Sequence, residues 1–360
     1  IMRRIMQSQG AEVIHLGHNR SVQEVVDAAV EEDVQGVAVS SYQGGHVEYF
    51  EYLVQLLAEA GAGHVQVVGG GGGVIVPEEI ERLRAAGVTI FSPQDGQRLG
   101  LPGMVNQVIA ACDVELDAVS PPSVPAVLTG ERAAVARAIT AAETGHLTGE
   151  MRTELERAAS GRRTPVLGIT GTGGSGKSSL TDELVRRLRV DQQDKLRIAC
   201  VAIDPTRRRG GGALLGDRIR MNSLDGDRVY FRSLATRGAT AGIPRGLDAM
   251  VRACAADGHD LVIIETPGMG QGDAAIADHA DLVVYVMTPE YGAATQLGKI
   301  AALEVADLVA INKFDRRGAD DARRDVARQL IRNRGAFGES WQSQPVVGTI
   351  ASRVNDGGVN

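Results

Sequence analysis

A glycine-rich segment with one lysine constrains the fold of this 360-residue chain more than any other feature. It reads Gly-Thr-Gly-Gly-Ser-Gly-Lys-Ser over residues 171–178, after an apolar run of strand length (166–170) and before a helical pattern (180–188). In such a turn, successive backbone amides point at one phosphate group, and the N-terminus of the following helix adds positive potential. The segment therefore predicts a phosphate-binding loop between a strand and a helix of an α/β sheet.

Each residue type in this loop has an expected role. Lys177 would reach the β and γ phosphates, and the Ser178 hydroxyl would ligate Mg²⁺. The remaining phosphate contacts are predicted along the loop and the first helical turn, at Gly171, Gly174, Ser175, Gly176 and Ser179. The alternative is a glycine loop without a ligand, which does not require the flanking strand and helix.

A second motif predicts which base is bound. Asn312-Lys-Phe-Asp315 follows an apolar run at 308–311. The carboxylate of Asp315 can accept both hydrogen bonds from the N1 and N2 edge of guanine, whereas adenine offers no such donor pair, so GTP is expected over ATP. Lys313 would lay its stem along the base. Alone the tetrapeptide could be a surface turn, but after a phosphate loop it favours guanine recognition. Ala351-Ser352, after the last candidate strand, is a weaker candidate for a backbone contact to the base.

Two acidic residues follow apolar runs at positions where nucleotide hydrolases place magnesium ligands. Glu265 ends the run 261–264, and Gly268, three residues later, would turn its amide toward the γ-phosphate. Most GTPases carry Asp at this first position, so Glu265 departs from the Ras-like pattern. Asp204 ends the run 198–203, with a helix cap or turn as the alternative reading. We expect Lys177 and Glu265 to be the catalytic residues.

Composition and charge exclude several classes of protein. With 43% hydrophobic and 23% charged residues, the chain has enough apolar material for buried cores and is not a disordered chain. No apolar run reaches the roughly 18 residues of a membrane-spanning helix. A net charge of −7 gives no global footprint for nucleic acid. We therefore expect a cytoplasmic protein with neither a membrane nor nucleic acid as a partner, and reduced thiols at Cys112, Cys200 and Cys254.

Strand-length apolar runs alternate with helical patterns in two regions, which is typical of parallel sheets built from βαβ units. The first region has candidate strands at 12–16, 36–40, 65–68 and 89–91. The second has candidates at 166–170, 197–203, 261–264, 282–287, 308–311 and 345–348. Between them lie clustered prolines at 121–125 and two helical patterns, at 131–142 and 150–159. The predicted fold class is α/β, with two doubly wound parallel-sheet domains, 1–112 and 165–360, joined by a helical linker, 113–164.

The second domain resembles the metallochaperone-type GTPases that serve methylmalonyl-CoA mutase. The resemblance covers the chain from about residue 166 to its end and is carried by three segments, 202–206, 210–221 and 265–271. It implies Mg²⁺ contacts from Ser178, Asp204, Asp217 and Glu265, and a position near the phosphates for Arg220. Taken alone, Asp217 and Arg220 would be read as an ordinary exposed helix pair.

The first domain is similar to the cobalamin-binding domain of cobalamin-dependent mutases. The segment 37–46 resembles that family's Ser-x-Leu segment, with Tyr42 in place of Leu, and the five-glycine run 69–73 resembles its glycine pair. Glycines after a strand permit close approach of a bulky ligand, although a flexible loop is the alternative. The resemblance implies cobalamin contacts at Ser40, Tyr42, Gly72, Gly73, Phe91 and Ser92.

The family's cobalt-ligating histidine lies in an Asp-x-His-x-x-Gly motif that this sequence lacks. The chain also opens on Ile1, inside an amphipathic helical pattern. We therefore expect an N-terminal truncation, with the axial ligand upstream. His15, His18 and His46 lie without cysteine neighbours, so a structural role is favoured over metal binding.

The order of the two domains is similar to that of the fused isobutyryl-CoA mutases, in which an acyl-CoA-binding (β/α)₈ barrel follows. The resemblance implies an isomerase with GTP hydrolase activity that uses adenosylcobalamin, GTP and Mg²⁺, with the barrel outside this chain. GTP hydrolysis would gate cofactor loading, with 207–212 as a candidate switch segment. The implied partners are that barrel, an adenosyltransferase and a second copy of the protein. The alternatives are a stand-alone cobalamin chaperone and a small-molecule kinase.

Overall fold

The computed structural model describes residues 1–42, 44–239, 242–268, 273–291, 297–298 and 300–360. These residues form two compact units. The first unit contains 1–155 and 207–214, and the second contains 156–206 and 215–360. The helices between the predicted domains thus group largely with the first unit, whereas the boundaries proposed from the sequence remain predictions.

The first unit contains a parallel sheet of β2 (Gly36–Ser40), β3 (Gln66–Gly70) and β4 (Val88–Phe91). Its helices are α1 (Met2–Ser8), α2 (Val22–Glu31), α3 (His46–Glu59), α4 (Pro77–Ala85), α5 (Pro93–Cys112), α6 (Leu116–Val119), α7 (Val124–Leu128), α8 (Arg132–Thr144) and the start of α9 (Gly149–Ser160). The core forms where α2, α3 and α4 bury their apolar stripes, around Phe50, Leu53, Leu57 and Leu83.

Local sequence explains where these helices begin and bend. Ser21 and Glu24 close a capping box at the start of α2. A second capping box, between Ser92 and Asp95, opens α5. Gly100 has φ +64° within α5, so this element is two helices joined at a kink.

One strand of the first region lies outside the predicted sheet. β1 (Glu12–Ile14) is shorter than expected and is not part of β2–β3–β4; it pairs with β7 (Ala213–Leu215), most of which belongs to the first unit. The sequence did not predict β7, because three residues are too short for a periodic signal. The expectation of one continuous parallel sheet through all the early strands was therefore wrong for residues 12–16.

Seven parallel strands form the sheet of the second unit within the described ranges. They are β5 (Val166–Gly171), β6 (Ile198–Asp204), β8 (Val229–Ala235), β9 (Leu261–Glu265), β10 (Leu282–Met287), β11 (Leu308–Asn312) and β12 (Val346–Thr349). Their order is β12-β11-β10-β5-β9-β6-β8. The helices are the end of α9, α10 (Lys177–Asp191), α11 (Leu247–Asp257), α12 (Ala302–Val305) and α13 (Ala319–Arg334). The α/β fold class with parallel sheets is confirmed.

The second unit's strands are buried on both faces, which is why they read as continuous apolar runs rather than as alternating ones. β8 is buried along its whole length, including Arg232 and Ser233. Those two polar residues interrupt the apolar run, so this strand was not predicted from the sequence.

In the part of the chain that is described, no helix combines the length and apolarity needed to cross a membrane.

Candidate functional site

The loop from β5 to α10 has the geometry of a phosphate cradle. Three of its glycines take positive φ values, at Gly171 (+141°), Gly174 (+76°) and Gly176 (+89°). The Lys177 ammonium donates to the carbonyl oxygens of Gly171 and Thr172 at 3.1 and 3.3 Å. A Cβ on Gly268 would lie 2.4 Å from Lys177 Nζ, so the β9 loop approaches this ammonium closely. The structure therefore places Gly268 beside Lys177, while the predicted contacts of both residues with the γ-phosphate remain predictions.

Two buried hydroxyl oxygens in this loop, Thr172 Oγ1 and Ser175 Oγ, have no hydrogen-bond partner among the described residues. A buried hydroxyl without a partner is costly, so such atoms mark places where a ligand or water completes the network. Ser179 is exposed at the start of α10. The loop's unsatisfied polar atoms and its lysine fit a nucleotide phosphate chain.

Carboxylates from two segments contact Ser178, and a third carboxylate is bonded to one of those segments. The Ser178 hydroxyl lies 2.7 Å from Glu265 Oε1 and 3.0 Å from Asp217 Oδ1. Asp204, at the end of β6, accepts a hydrogen bond from the amide of Gly216 at 2.8 Å. This bond ties the carboxylate to the segment that carries Asp217. All four residues predicted for the magnesium site thus lie at the carboxyl edge of the seven-stranded sheet or on its loops, where ligands bind in such folds.

The electrostatics of this group fit a divalent cation. Burial, and next the charge of Asp217, raise the pKa of Glu265 to about 7. The same two causes, in the same order, raise the pKa of Asp204 to about 6. Within the described residues, no three His, Cys, Asp or Glu side chains already form a closed cation cage. Mg²⁺ commonly binds one or two carboxylates together with phosphate oxygens and water, so hydroxyl and carboxylate oxygens around Ser178 suit it.

The two arginines after Asp217 have different roles. Arg220 donates to Asp217 Oδ1 at 3.0 Å, yet its side chain is 64% exposed, so it remains accessible to a ligand. Arg218 is buried, with its guanidinium 5.6 Å from the centroid of the Phe231 ring. Arg220, the residue singled out from the sequence, is therefore the accessible one.

The base motif is hydrogen-bonded to the phosphate loop. Asn312, at the end of β11, donates to the carbonyl of Ser175 at 2.8 Å, and Lys313 donates to that of Gly174 at 2.8 Å. The amide of Ala351 donates to Asn312 Oδ1 at 3.0 Å. The side chain of Asp315 is exposed at the same edge of the sheet. The Asn312 side chain thus links its own loop to the phosphate loop at Ser175 and to the segment at Ala351. The sequence alone did not indicate this structural role.

In the first unit, the three segments predicted to contact cobalamin lie at one edge. Strand register places Ser40 beside Gly70 and Gly70 beside Phe91, so the carboxyl ends of β2, β3 and β4 coincide. Tyr42 is 70% exposed, and a Cβ on Gly72 would lie 2.9 Å from its ring. Among the described residues, this edge presents glycine backbone together with the aromatic residues Tyr42 and Phe91, a lining that fits a large planar ligand.

The other residues singled out at this edge have structural partners. The Ser92 hydroxyl donates to Asp95 Oδ2 at 2.7 Å and thereby caps α5. Gly73 has φ +94°, and a Cβ built on it would lie 3.5 Å from Pro93 Cγ. His46 is buried, with Nε2 2.9 Å from Glu79 Oε2, as a structural histidine would be. Gln43 and residues 269–271, which belong to two of the quoted motif segments, lie outside the described residues.

The three cysteines are free thiols: Cys200 and Cys254 are buried, and Cys112 is half-buried. This agrees with reduced thiols in the core. Burial and the charge of Asp257 raise the pKa of Cys254 to about 12, so this thiol stays protonated.

Residues outside the predicted motifs support the site. Thr181 Oγ1 lies 2.8 Å from Glu265 Oε2, and Asp182 accepts from the amides of Asn222 and Ser223 at 2.8 and 2.9 Å. Both supports are on α10, one turn after Ser178. Helical spacing could have indicated both residues, because positions three and four residues after Ser178 lie on the same face of the helix.

Taken together, the phosphate loop, the carboxylates around Ser178 and the base motif define a P-loop GTPase unit, and the glycine-lined edge belongs to a separate cofactor-binding unit. The family model described as "Methylmalonyl Co-A mutase-associated GTPase MeaB" matches residues 135–359. A model described as "B12 binding domain" matches residues 1–97. The chain belongs to the MeaB family of GTPases and carries a cobalamin-binding domain ahead of it. Its ligands are cobalamin, GTP and Mg²⁺.

Two curated relatives match the whole of this chain, and a third matches part of it. The fused isobutyryl-CoA mutase of Nocardia farcinica is 70% identical over 359 residues, covering 100% of this chain and 33% of that protein. The protein of the same name from Cupriavidus metallidurans is 60% identical over 360 residues, with the same coverage. A putative GTPase of Pyrococcus horikoshii is 34% identical over 224 residues, covering 62% of this chain and 69% of that protein. The chain thus spans about a third of the length of its fused relatives.

Proposed function

We propose that this chain is the cobalamin-binding and GTPase part of an adenosylcobalamin-dependent isobutyryl-CoA mutase, which interconverts isobutyryl-CoA and n-butyryl-CoA. The observation that carries the proposal is the 70% identity to a fused isobutyryl-CoA mutase over the whole of this chain. Adenosylcobalamin, when bound, supplies the radical chemistry of the rearrangement. The acyl-CoA substrate would be bound by a downstream barrel of the full-length protein.

In this proposal the first unit holds the cofactor at the carboxyl edge of its sheet. Ser40, Phe91 and Ser92 would contact it at the strand ends. Gly72 and Gly73 would let it approach the backbone, since side chains there would fill the space. The exposed ring of Tyr42 supplies an apolar face at the same edge.

The second unit would hydrolyse GTP. The loop amides of Gly171, Gly174, Ser175, Gly176 and Ser179 would bind the phosphates, together with Gly268, Arg220 and Lys177. Ser178, Asp204, Asp217 and Glu265 would hold Mg²⁺, which neutralises charge on the transferred phosphoryl group. Asn312, Lys313 and Asp315 would bind guanine. Fixed positive charge and oriented donors are the main source of catalysis in phosphoryl transfer, so Lys177 and Glu265 would act by charge and by metal placement.

GTP turnover would govern loading and protection of cobalamin through the segment 207–212, which lies between Asp204 and Asp217 in sequence.

The proposed domain scheme assigns residues 1–112 to cobalamin binding, 113–164 to the linker and 165–360 to GTP binding and hydrolysis. An adenosyltransferase that delivers the cofactor, a homo-oligomeric assembly and a cytoplasmic location complete the proposal.

The test is made on the full-length gene product. Interconversion of isobutyryl-CoA and n-butyryl-CoA, followed by gas chromatography of the hydrolysed acyl groups, should require adenosylcobalamin. Loading of the apoenzyme with cobalamin should depend on GTP and be lost in Glu265→Ala. A product without mutase activity that still loads cobalamin onto a separate mutase would instead establish a stand-alone chaperone. Transfer of the γ-phosphate to a small molecule would identify a kinase.

A further inference from the structure

Thr181 carries a buried hydroxyl that the phosphate loop and the base motif do not use. It lies on α10, three residues after Ser178 on the same helical face, and is 2% exposed. Its Oγ1 is 2.8 Å from Glu265 Oε2 and 3.1 Å from the carbonyl oxygen of Lys177. The hydroxyl therefore has a carboxylate partner on β9 in addition to the helical carbonyl that such side chains commonly bond.

The Glu265 carboxylate is held at both of its oxygens by one helix. Ser178 bonds Oε1 at 2.7 Å, and Thr181 bonds Oε2 at 2.8 Å. Ser178 has one proton but two carboxylate neighbours, because Asp217 Oδ1 lies 3.0 Å from the same hydroxyl. Thr181 likewise shares one proton between Glu265 Oε2 at 2.8 Å and the Lys177 carbonyl oxygen at 3.1 Å, with the carboxylate as the nearer acceptor. The two hydroxyls together, one at each oxygen, therefore restrain the rotation of the Glu265 carboxylate more firmly than Ser178 alone.

We propose that Thr181 is a positioning residue for the cation site: its hydroxyl holds Oε2 of Glu265 so that Oε1 stays on the side of Ser178 and Asp217. This inference rests on the proposed Mg²⁺-dependent GTPase function. Groups that orient metal ligands without touching the metal commonly change metal affinity when they are removed.

The experiment measures how Mg²⁺ slows release of a fluorescent GDP analogue from this chain over a Mg²⁺ titration that begins in EDTA. Thr181→Val keeps the shape and removes the hydroxyl. It should raise the Mg²⁺ midpoint about tenfold while leaving nucleotide affinity in EDTA within about twofold. Thr181→Ser should restore the midpoint. Thr181→Ala is measured beside them, so that poor folding of one variant does not decide the result.

Thr144→Val is the matched control, because Thr144 also bonds the carbonyl four residues before it, Thr140, at 2.8 Å. It should not move the midpoint. An unchanged midpoint in Thr181→Val, or failure of Thr181→Ser to restore it, would overturn the positioning role, as would an equal loss of nucleotide affinity in EDTA. If release from the unmutated chain did not respond to Mg²⁺ at all, the proposed GTPase function would fail instead.

Discussion

The carboxyl edges of the two parallel sheets present different chemistry to a ligand. At the edge of the seven-stranded sheet, charged and hydroxyl side chains are already bonded to one another, as in the contact of Ser178 with Glu265. At the edge of the three-stranded sheet, Ser40, Gly70 and Phe91 stand side by side, and the loop that follows is mostly glycine. A nucleotide site is built from side chains because phosphates and Mg²⁺ need charge and oxygen ligands. An edge that binds cobalamin instead needs residues without bulky side chains, because a large ligand must approach the backbone closely.

This difference predicts how the edges respond to substitution. Loss of one charged side chain should remove most of the function of the nucleotide edge, whereas addition of one methyl group should damage the cobalamin edge.

Lys177→Ala should lower the rate of GTP hydrolysis by more than about a thousandfold, because no other described ammonium bonds the loop carbonyls of Gly171 and Thr172. Phosphate release measures this, and cobalamin binding should not change. Lys195→Ala, at an exposed position, is the control. Equal loss in both variants would mean that general charge, and not the loop lysine, supports turnover.

Asp315→Asn should weaken GTP binding about a hundredfold, because the guanine donors lose their acceptor. Calorimetric titration with GTP and ATP checks both affinity and selectivity. Asp225→Asn removes an exposed carboxylate elsewhere in the second unit and should leave both unchanged. Equal affinity of the unmutated chain for ATP and GTP would contradict guanine recognition.

Gly73→Ala should weaken cobalamin binding about tenfold, because φ is +94° there and a methyl group would occupy the cofactor edge. Absorbance titration with cobalamin measures it. Gly61→Ala is a matched control: φ is +75° with open space around the position, and it precedes β3 rather than following it. The control should lose stability to a similar degree but retain affinity. Equal affinities for the two variants would remove Gly73 from the cofactor edge.

Without Mg²⁺, the second unit should lose a small amount of stability as pH rises. The folded-state pKa values of Asp204 and Glu265 are raised to about 6 and about 7, above those of unfolded carboxyls, so the folded state binds protons more tightly. This contribution is complete below about pH 4 and is lost as pH rises to about 7. The melting temperature in EDTA should therefore fall as pH rises from about 4 to about 7.

Glu265→Gln should reduce the dependence of the melting temperature on pH. Mg²⁺ with nucleotide should reduce it in the unmutated chain as well, because cation binding displaces the protons. A melting temperature in EDTA that rose from about pH 5 to about pH 7 would show that the carboxylates are ionised and compensated without a cation.

The α/β class and most strand positions follow from the sequence and are confirmed, whereas the ligand-contacting residues proposed for both edges remain predictions. Strand and helix periodicity, and the loops between them, are local properties. For that reason β2 and β10 were predicted with the bounds that the structure gives them. The phosphate loop and the base motif were likewise readable, because their chemistry depends on short runs of neighbouring residues.

Tertiary structure alone decided which residues support the site and how the short strands pair. β7 is too short to have a period, and β8 carries polar residues that only burial in a sheet explains. Thr181 contacts Glu265, 84 positions away in sequence, and Asn312 contacts Ser175, 137 positions away. Such contacts are fixed by the strand order, which places β5 beside β9 and β10, and no local pattern encodes that order. A hydroxyl in a helix has many possible partners, and only the packed sheet determines which carboxylate it holds.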